Sequence, residues 1–572
     1  MIPGLTPVAT IPVGSQPLAF VTSVTSRFAQ LFNEIDPEII FLVEISPYDG
    51  SLQQQLPGLP APVATLPHNG GSGFAVRGGE RVLRVSNATE PFITRPDDTS
   101  LASTPYPSRL SRSFSLSAVL FSGLIPGETP RFAGSEIQII NEGGEFDQWT
   151  RYSFDGRDLT IKAGLRDFAW SDFGPVAALT LRGATFEEAA ITLSPRDQSD
   201  IFRRVIQQNL YGGMGGADGD ASLKGRAKPL GFGAVSNAPL LFTDQARLIG
   251  QLHDGSIQSV LAVRDQGVAL TPGADHADYA TLEAAIPAPG SYDTCLALGF
   301  VKLGSIPSDN GEVTADFEGD NDGGYVSTIG SILRRIVTTR LGNQNLADPA
   351  GLDAVAFAEL ESSFPATAQF YAADAVNAED VLNALMRSAY GYWFFTRAGQ
   401  LSVGLFTRVE AVDYTVSDAE LVGGTLRQLE VTPPAWRVQV GWGRVWTVQT
   451  DTALAGSVSA DQRQLYGNEY RHAVDFNSTV RGRHRFSQPL DWPTLLVNEA
   501  DAIALAARII DMAAPDQRRF ALRVLRSQLR LWLASRVGIN AGFLKAFGGA
   551  LGHVVAINED YDAGYTELEI VA

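Results

Sequence analysis

Residues 158–183 read "DLTIKAGLRDFAWSDFGPVAALTLRG". Two short runs in this stretch, 158–164 and 176–183, are rich in apolar and β-branched residues, and Gly, Asp and Pro lie between them. Such runs are typical of β-strands bounded by turns. Similar runs, such as "EIIFLVEISPYDG" (38–50) and "SFSLSAVLF" (113–121), recur across residues 38–195. The sequence therefore predicts a β-barrel or sandwich domain over residues 38–195.

The composition sets limits on the function. The chain has 572 residues, of which 45% are hydrophobic and 19% charged. A length of about 100–200 residues per domain predicts three to five domains. No run approaches the roughly 20 apolar residues that a membrane span needs. The single cysteine excludes an internal disulfide, and the six scattered histidines lack zinc-site spacing, so we expect no metal and no cofactor.

The net charge of −19 disfavours tight binding of nucleic acid, because an acidic surface repels phosphates. The N-terminus is rich in proline and lacks the basic and apolar regions of a secretion signal, which predicts an extended arm.

The strand and helix patterns predict a mainly β, multi-domain protein in which an α+β domain is inserted between β-barrel or sandwich domains. The predicted parts are an arm (1–37), a β-barrel domain (38–195), a helix with a connector loop and small β unit (196–290), an α+β domain (291–408) and a second β-barrel domain with a helix (409–572).

Several local elements can be predicted within these parts. "SPRDQSDIFRRVIQQNLYGG" (194–213) predicts a helix capped by Ser194, and the turn at Asp254–Gly255 between two apolar runs predicts a hairpin. A second hairpin is predicted around Ala398–Gly399, and an alanine-rich helix near residues 498–514.

Two amphipathic helices are predicted from apolar residues spaced three and four apart. The first is expected to end at Gly342, and the second to begin at the cap Asn377. Their predicted buried positions are Ile329, Ile332, Leu333, Ile336 and Val337 in the first helix, and Val381, Leu382, Leu385 and Met386 in the second.

The glycine-rich segment "DASLKGRAKPLGFGAVSNAPLLFTD" (220–244) was compared with a phosphate-binding loop. A Walker A loop needs Gly-Lys followed by Ser or Thr at the start of a helix. Here Lys224 is followed by Gly225 and Arg226, and Pro229 leads into a β-rich run. "YGGMGGADGD" (211–220) also fails the dinucleotide-binding spacing, because Asp218 stands where the third glycine should be. We therefore expect no phosphate site.

The acidic segment "TADFEGDNDGGY" (314–325) suggests calcium binding by its composition. An EF-hand loop needs glycine at its sixth position and glutamate at its twelfth, and from Asp316 these positions hold Asn321 and Ser327. The sequence thus favours a solvated acidic turn. Its carboxylates are Asp316, Glu318, Asp320 and Asp322.

Catalytic motifs are weak. "NEGGEFDQW" (141–149) places Glu142, Glu145 and Asp147 beside a tryptophan, as glycosidase clefts do, but no opposing acidic cluster can be placed, so a polar hairpin tip is favoured. Cys295 lies in an apolar run, where we expect a small buried side chain rather than a nucleophile. We predict that the chain is not an enzyme. Five tryptophans are candidates for a sugar-binding face, although in β-rich domains such residues more often fill cores: Trp149, Trp170, Trp436, Trp442 and Trp446.

The order of four segments resembles tail proteins of long-tailed bacteriophages and phage-like particles, and most closely their baseplate or central tail hub proteins. These segments are "FDGRDLTIKAG" (154–164), residues 220–244, "QLHDGSIQSVLAVRDQGVAL" (251–270) and "GSYDTCLALGFVKLGSIPSDNGEVTADFEGD" (290–320). The likeness spans roughly residues 38–570. Its most specific pieces are the strap Lys-Gly-Arg-x-Lys-Pro-Leu (224–230) and the motif Val-Thr-Ala-Asp-x-x-Gly-Asp (313–320).

The resemblance implies a structural baseplate hub that closes the distal end of a siphophage-like tail tube as a homotrimer with two related barrels per chain. It implies that genomic DNA passes without tight binding during ejection. The acidic segment at 316–322 is our candidate for a surface that faces the channel, and an outward-facing solvated turn stays open as the alternative. The connector would use Lys224, Arg226 and Lys228 to pair with acidic neighbours and Pro229 to fix its path. Implied partners are the distal tail protein or tail tube ring and the tail fibre or tip proteins, in a virion whose tail tip is assembled in the host cytoplasm.

Two alternatives remain open from the sequence. One is a distal tail ring or an adhesion component that binds cell-surface glycan. The other is a tail-associated cell-wall hydrolase that uses Glu142 or Glu145, although no peptidase or muramidase segment can be recognised.

Overall fold

The computed structural model describes residues 27–28, 39–49, 79–111, 114–123, 125–308, 312–341, 351–431, 434–513, 517–525, 529–561 and 563–572. These residues form a mainly β, multi-domain protein, so the predicted fold class is confirmed. The predicted arm (1–37) lies outside the described residues except for Arg27 and Phe28.

The N-terminal sheet contains the two runs quoted first. They pair as antiparallel neighbours, with Leu159 opposite Leu179, and their apolar side chains are buried in one core. Alternation of apolar and polar residues lets one face pack while the other meets solvent. In spatial order the strands are Leu83–Ser86, Ile40–Ile45, Asp158–Gly164, Gly174–Phe186, Ala190–Arg196 and Ile137–Ile140.

The central barrel consists of two five-stranded sheets packed around a shared core. Val235 and Phe317 from one sheet and Val301 and Leu303 from the other belong to this core. The first sheet is ordered Val268–Ala269, Ile257–Asp265, Val313–Asp320, Leu230–Pro239 and Gln369–Ala372, and the second Leu241–Asp244, Ile249–Gln251, Phe300–Leu303, Ser291–Cys295 and Thr271–Asp275.

The hairpin predicted at Asp254–Gly255 is wrong. Strand Ile249–Gln251 pairs with Phe300–Leu303 in the second sheet, whereas Ile257–Asp265 pairs with Val313–Asp320 in the first. The Asp-Gly turn therefore joins two sheets. Turn chemistry predicts a chain reversal but does not choose the strand partners.

The helix predicted to be capped by Ser194 is also wrong in its start and type. Ser194 lies in strand Ala190–Arg196. A 3-10 helix, Gln198–Arg203, follows, and its cap is Asp197, whose side chain accepts a hydrogen bond from the Ser199 amide. Sheet pairing outweighs the local capping preference here.

Both predicted amphipathic helices are confirmed, and all nine predicted apolar positions are buried. Thr328 and Ser331 form a capping box at the start of the first, which continues as a π-helix over Ile336–Arg340. The predicted stop Gly342 is outside the described residues. Among the described residues the α-helices are Tyr279–Ala284, Ile329–Arg335, Ala354–Ser363, Ala378–Ser388, Ala460–Gly467, Ser478–Arg483 and Glu499–Ala513.

The predicted hairpin at Ala398–Gly399 is confirmed. Strands Gly391–Phe395 and Leu401–Leu405 pair in antiparallel fashion, and Gly399 has the positive φ of 77° that favours glycine in such a turn. Two smaller pairs join Tyr48–Asp49 to Tyr152–Ser153 and Phe92–Ile93 to Pro105–Tyr106.

The C-terminal sheet has eight strands and includes residues from the N-terminal part of the chain. Ser115–Val119 pairs with Ala550–Asp560 on one side and with Arg131–Gly134 on the other. The remaining strands are ordered Tyr414–Ser417, Arg536–Asn540, Ala550–Asp560, Tyr565–Val571, Arg518–Leu525 and Arg427–Val431. The five-part division of the chain stays a prediction, and this sheet joins two of its parts.

A three-stranded sheet lies beside it, with its strands in the order Arg471–Phe476, Arg437–Trp442 and Pro489–Pro493. Helix Glu499–Ala513, predicted from its alanine-rich sequence, packs across the first two of these strands. Short 3-10 turns complete the described chain at Glu142–Gly144, Asp147–Arg151, Trp170–Asp172, Gly216–Asp218, Asp451–Ala453 and Gly542–Phe547.

Candidate functional site

The structure brings the two most specific sequence motifs together. The strap leads into strand Leu230–Pro239, which pairs with Val313–Asp320, the strand formed by the acidic motif. A Cβ atom on Gly319 would lie 2.2 Å from the carbonyl oxygen of Gly231, so only glycine permits this approach. Gly231, in the segment compared with a phosphate loop, also serves close packing, because a Cβ atom there would lie 2.5 Å from the ring of Phe317.

Gly233 fulfils a similar requirement on the other side of the same strand. Its φ is +67°, and a Cβ atom there would lie 1.9 Å from the carbonyl oxygen of Ala368. The predicted connector loop is therefore a loop only as far as Pro229, and the rest of it is barrel strand.

The strap residues have structural contacts. Arg226 forms an ion pair with Asp374 at 3.2 Å, whereas no carboxylate among the described residues lies within ion-pair distance of Lys224 or Lys228. Lys228 lies over the ring of Tyr211, with its Nζ atom 5.4 Å from the ring centroid. Both contacts hold the strap against other segments of the same chain.

The two ends of the strap differ. Lys224 is exposed, whereas Pro229 is buried and its carbonyl oxygen accepts a hydrogen bond from the amide of Asp254 at 2.7 Å. Pro229 thus fixes the path of the chain into the barrel, in line with the role expected for it.

The acidic segment is a strand rather than a solvated turn. Asp316, Glu318 and Asp320 all lie in Val313–Asp320, and only Asp322 in the turn that follows is exposed. The composition resembles that of a loop, but the apolar residues alternating with the acids belong to the barrel core. The prediction of a turn was wrong at three of the four positions.

Asp316 and Glu318 have partners within the barrel. Asp316 accepts two hydrogen bonds from the guanidinium of Arg264, one of them at 2.7 Å, and a third from the Asn237 amide at 2.7 Å. Glu318 accepts a hydrogen bond from the Ser259 hydroxyl at 2.7 Å. These carboxylates stabilise the pairing of neighbouring strands.

Asp320 is the centre of a buried ionic cluster. Its side chain is fully buried, and it forms ion pairs with Arg335 and with Arg340, the latter at 2.7 Å between Oδ2 and Nη2. Arg335 also donates to the carbonyl oxygen of Gly324 at 2.8 Å. The cluster ties the first amphipathic helix and its π-helical end to the barrel. A fully buried carboxylate cannot face a DNA channel.

His253 borders this cluster in its neutral form. Burial, reinforced by the charge of Arg340, lowers the pKa of His253 to about 3. Its Nδ1 accepts a hydrogen bond from the Gly231 amide at 2.9 Å, so the proton is on Nε2, 3.8 Å from the nearer Asp320 oxygen. This histidine therefore contributes packing and a strand contact rather than charge.

A second buried ionic group could not be foreseen from the sequence. Arg397, at the hairpin turn, donates to Glu559 at 2.8 Å and stacks 4.2 Å from the ring centroid of Trp532. It also donates to the carbonyl oxygen of Val176 in the N-terminal sheet. Burial and the charge of Glu559 raise the pKa of Tyr561, which donates to the same carboxylate, well above its usual value. The group joins three parts of the chain.

The candidate catalytic acids lie on a surface turn. Glu145 pairs with Arg109 at 2.7 Å, and Asp147 accepts a hydrogen bond from the side chain of Asn141 at 2.9 Å. Glu142 is exposed. The segment is polar as predicted, but it is not a hairpin tip: it forms two 3-10 turns, and the strands before and after it pair with other strands, Ala190–Arg196 and Tyr48–Asp49.

The aromatic and sulfur-containing candidates lie mainly in cores. Trp149, Trp170 and Trp442 are buried, which removes them from a sugar-binding face, and Cys295 is fully buried as expected. Within the described ranges no group of three or more potential metal ligands occurs, and no helix there combines the length and apolarity needed to cross a membrane.

Comparison with known proteins finds likeness only among solved structures. No protein-family model matches the chain, and no curated protein matches it significantly. It is similar to the 43 kDa tail protein of prophage MuSo2 from Shewanella oneidensis, with 10% identity and a TM-score of 0.33 over 82% of this chain and 96% of that one.

Two further structures are similar. A tail protein from Neisseria meningitidis has 9% identity and a TM-score of 0.32 over 82% of this chain and 94% of that one. A chain of the native gene transfer agent virion has 15% identity and a TM-score of 0.35 over 61% of this chain and 84% of that one. At these identities and TM-scores, function has to be inferred from the chain's own residues.

Proposed function

We propose that this protein is a structural component of a phage-type tail: a homotrimeric baseplate hub that closes the distal end of the tail tube. The observation that supports this is that the strap leads directly into a barrel strand, Leu230–Pro239, which pairs with the strand formed by the acidic motif. Their charged residues are largely engaged in ion pairs and hydrogen bonds that connect barrel, strap and helix. The residues that carry the resemblance therefore serve architecture.

In this proposal the chain belongs to the virion, at the tail tip, and is assembled in the host cytoplasm. It contacts a distal tail protein or tail tube ring on one side and tail fibre or tip proteins on the other. Genomic DNA passes through the ring without tight binding, because the net charge of −19 per chain opposes phosphate binding. Its five-part division and its non-enzymatic role are part of the same proposal.

The test is the copy number and position of the chain in purified particles, measured by quantitative mass spectrometry and by image reconstruction of tails. We expect three copies at the tail tip. Six copies would favour the distal tail ring, and absence from the particle would refute the proposal.

Two parallel assays address the alternatives. Binding to a glycan array would favour the adhesion component. Clearing of host peptidoglycan in a zymogram, lost in Glu142→Gln or Glu145→Gln, would favour the hydrolase. We expect neither signal.

A further inference from the structure

One surface of this acidic protein is strongly basic. Residues 471–486 contain four arginines and one aspartate, which gives a formal charge of +3 in a chain whose total is −19. We call this surface the 471–486 patch. Its arginines are Arg471, Arg481, Arg483 and Arg485.

Three arginines of the patch lack acidic partners. In the part of the chain that the structure describes, no carboxylate lies within ion-pair distance of Arg481, Arg483 or Arg485. Arginines elsewhere, such as Arg226 and Arg340, pair with a carboxylate. A cluster of exposed, uncompensated guanidinium groups provides charge for a second molecule.

The patch also exposes large apolar side chains. Phe486 is 87% exposed, Phe476 64% and Val474 47%. Phe476 and Val474 lie on strand Arg471–Phe476, whose buried residue Ala473 contributes to the core. Arginine and aromatic side chains together are typical of the centre of protein–protein interfaces.

The scaffold beneath the patch is well anchored. Arg481 lies 4.4 Å from the ring centroid of Trp436, and the Ser487 hydroxyl donates to the carbonyl oxygen of Pro434. Asn477 caps the short helix that follows the strand by accepting from two backbone amides. The backbone that carries the patch is thus fixed before binding, which limits the ordering entropy lost there.

Strand Arg471–Phe476 adds an open backbone edge. It is the outer strand of its sheet and pairs only with Arg437–Trp442 within the described chain. An outer strand offers unpaired amide and carbonyl groups to another molecule.

We propose that the 471–486 patch docks onto an acidic surface of a second copy of this chain. The charge distribution supplies the argument, because the chain outside the patch has a formal charge of −22, the difference between −19 and +3. Contact of the patch with itself would oppose arginine to arginine. The interface therefore joins two different surfaces. A head-to-tail interface of this kind forms a closed ring where the rotation between copies closes and an open filament where it does not, and the proposed homotrimer is the closed case.

A protein partner fits the patch better than nucleic acid does. Duplex phosphates would meet the cations but leave three exposed apolar side chains in water, and the surrounding acidic surface would repel them. The proposal rests on the proposed homotrimeric function, and it specifies which residues hold the ring together.

The experiment compares Arg483→Glu/Phe486→Ser with a matched control, Arg203→Glu/Phe547→Ser. Arg203 and Phe547 are also strongly exposed, at 74% for the arginine side chain and 84% for the phenylalanine, so both variants make the same change in net charge and a similar change in apolar area. Arg203 also pairs with Asp200 at 3.4 Å, a surface contact worth about 1 kcal/mol or less. Native mass spectrometry and sedimentation of the full chain measure the mass. Should the patch variant precipitate, Arg485→Glu alone replaces it.

The wild type and the control should be trimers that weaken as ionic strength rises, whereas self-association of the patch variant should be about tenfold weaker or more. A patch variant that stays as trimeric as the control overturns the proposal, and so does a monomeric wild type. If the wild type binds a single-stranded oligonucleotide and the patch variant loses that binding without a change of mass, the patch is a nucleic-acid surface instead.

These outcomes separate the two proposals. Particles with three copies, together with a trimeric patch variant, would leave the proposed function intact and remove the 471–486 patch from the interface. Absence of the chain from particles would remove the proposed function whatever the mass of the variants.

Discussion

Replacing Asp320 with Asn tests whether the buried ionic cluster stabilises the contact between barrel and helix. The substitution preserves the side-chain shape but removes the charge that compensates Arg335 and Arg340. Their side chains are only 11% and 15% exposed, so water can replace little of the lost interaction. Breaking a buried ion pair by removing one partner costs about 3–5 kcal/mol of unfolding free energy.

For a cooperative unit of about 150–250 residues, that loss corresponds to a decrease in the melting temperature on the order of 10 °C. Thermal unfolding followed by circular dichroism measures it, with Asp322→Asn, an exposed change two residues away, as the control. The double variant Asp320→Asn/Arg340→Met should recover part of the loss, because it removes one uncompensated cation. Equal melting temperatures for the Asp320 and Asp322 variants would refute the assignment of the cluster.

The other predictions concern packing, protonation and backbone geometry. Leu385→Asp buries a charge in the second amphipathic helix and should abolish soluble expression, whereas Ile503→Asp, at a position 55% exposed, should not; equal yields would contradict the helix core. The lowered pKa of His253 means that its contribution to stability is complete above pH 6.5 and is lost as the pH falls toward 3. Between pH 7 and pH 5 the wild type should therefore lose about 2 kcal/mol more stability than His253→Gln, and parallel losses would count against this. Gly233→Ala should cost about 2 kcal/mol or more, whereas Gly183→Ala, which has open space around it, should be nearly neutral by chemical denaturation; similar midpoints would show that the strand tolerates a Cβ atom.

The sequence was most informative where structure is determined by near neighbours. Helix Ala378–Ser388 was predicted because its apolar residues share one face, and all its predicted core positions are buried. The hairpin at Gly399 was predicted because a turn of two or three residues brings its own strands together. At Asp254–Gly255 the same type of signal failed, because each flanking strand has a partner about 50 residues or more away.

The prediction of a solvated turn for the acidic segment failed for a related reason. Asp and Glu at high density with glycine are typical of turns, and single-sequence reasoning cannot supply the arginines that neutralise them. The partner of Asp316 lies 52 residues before it, and Arg397 pairs with a carboxylate 162 residues after it. Charge density along the sequence therefore overstated the acidity of the surface at residues 316–320.

The same long-range pairing explains why unpaired arginines are informative. Several buried or half-buried arginines of this chain have their charge balanced by a carboxylate from another element, as Arg264, Arg340 and Arg397 do. An exposed arginine without such a partner contributes nothing to the stability of the folded chain through ion pairing, and beside an exposed phenylalanine it lowers the cost of desolvating a second molecule at that point. Arg481, Arg483 and Arg485 meet this description together, on and just after the short helix Ser478–Arg483 of an acidic protein. We therefore assign their charge to contacts between chains. In the proposed ring each copy places its 471–486 patch on one neighbour and its acidic surface against the patch of the other.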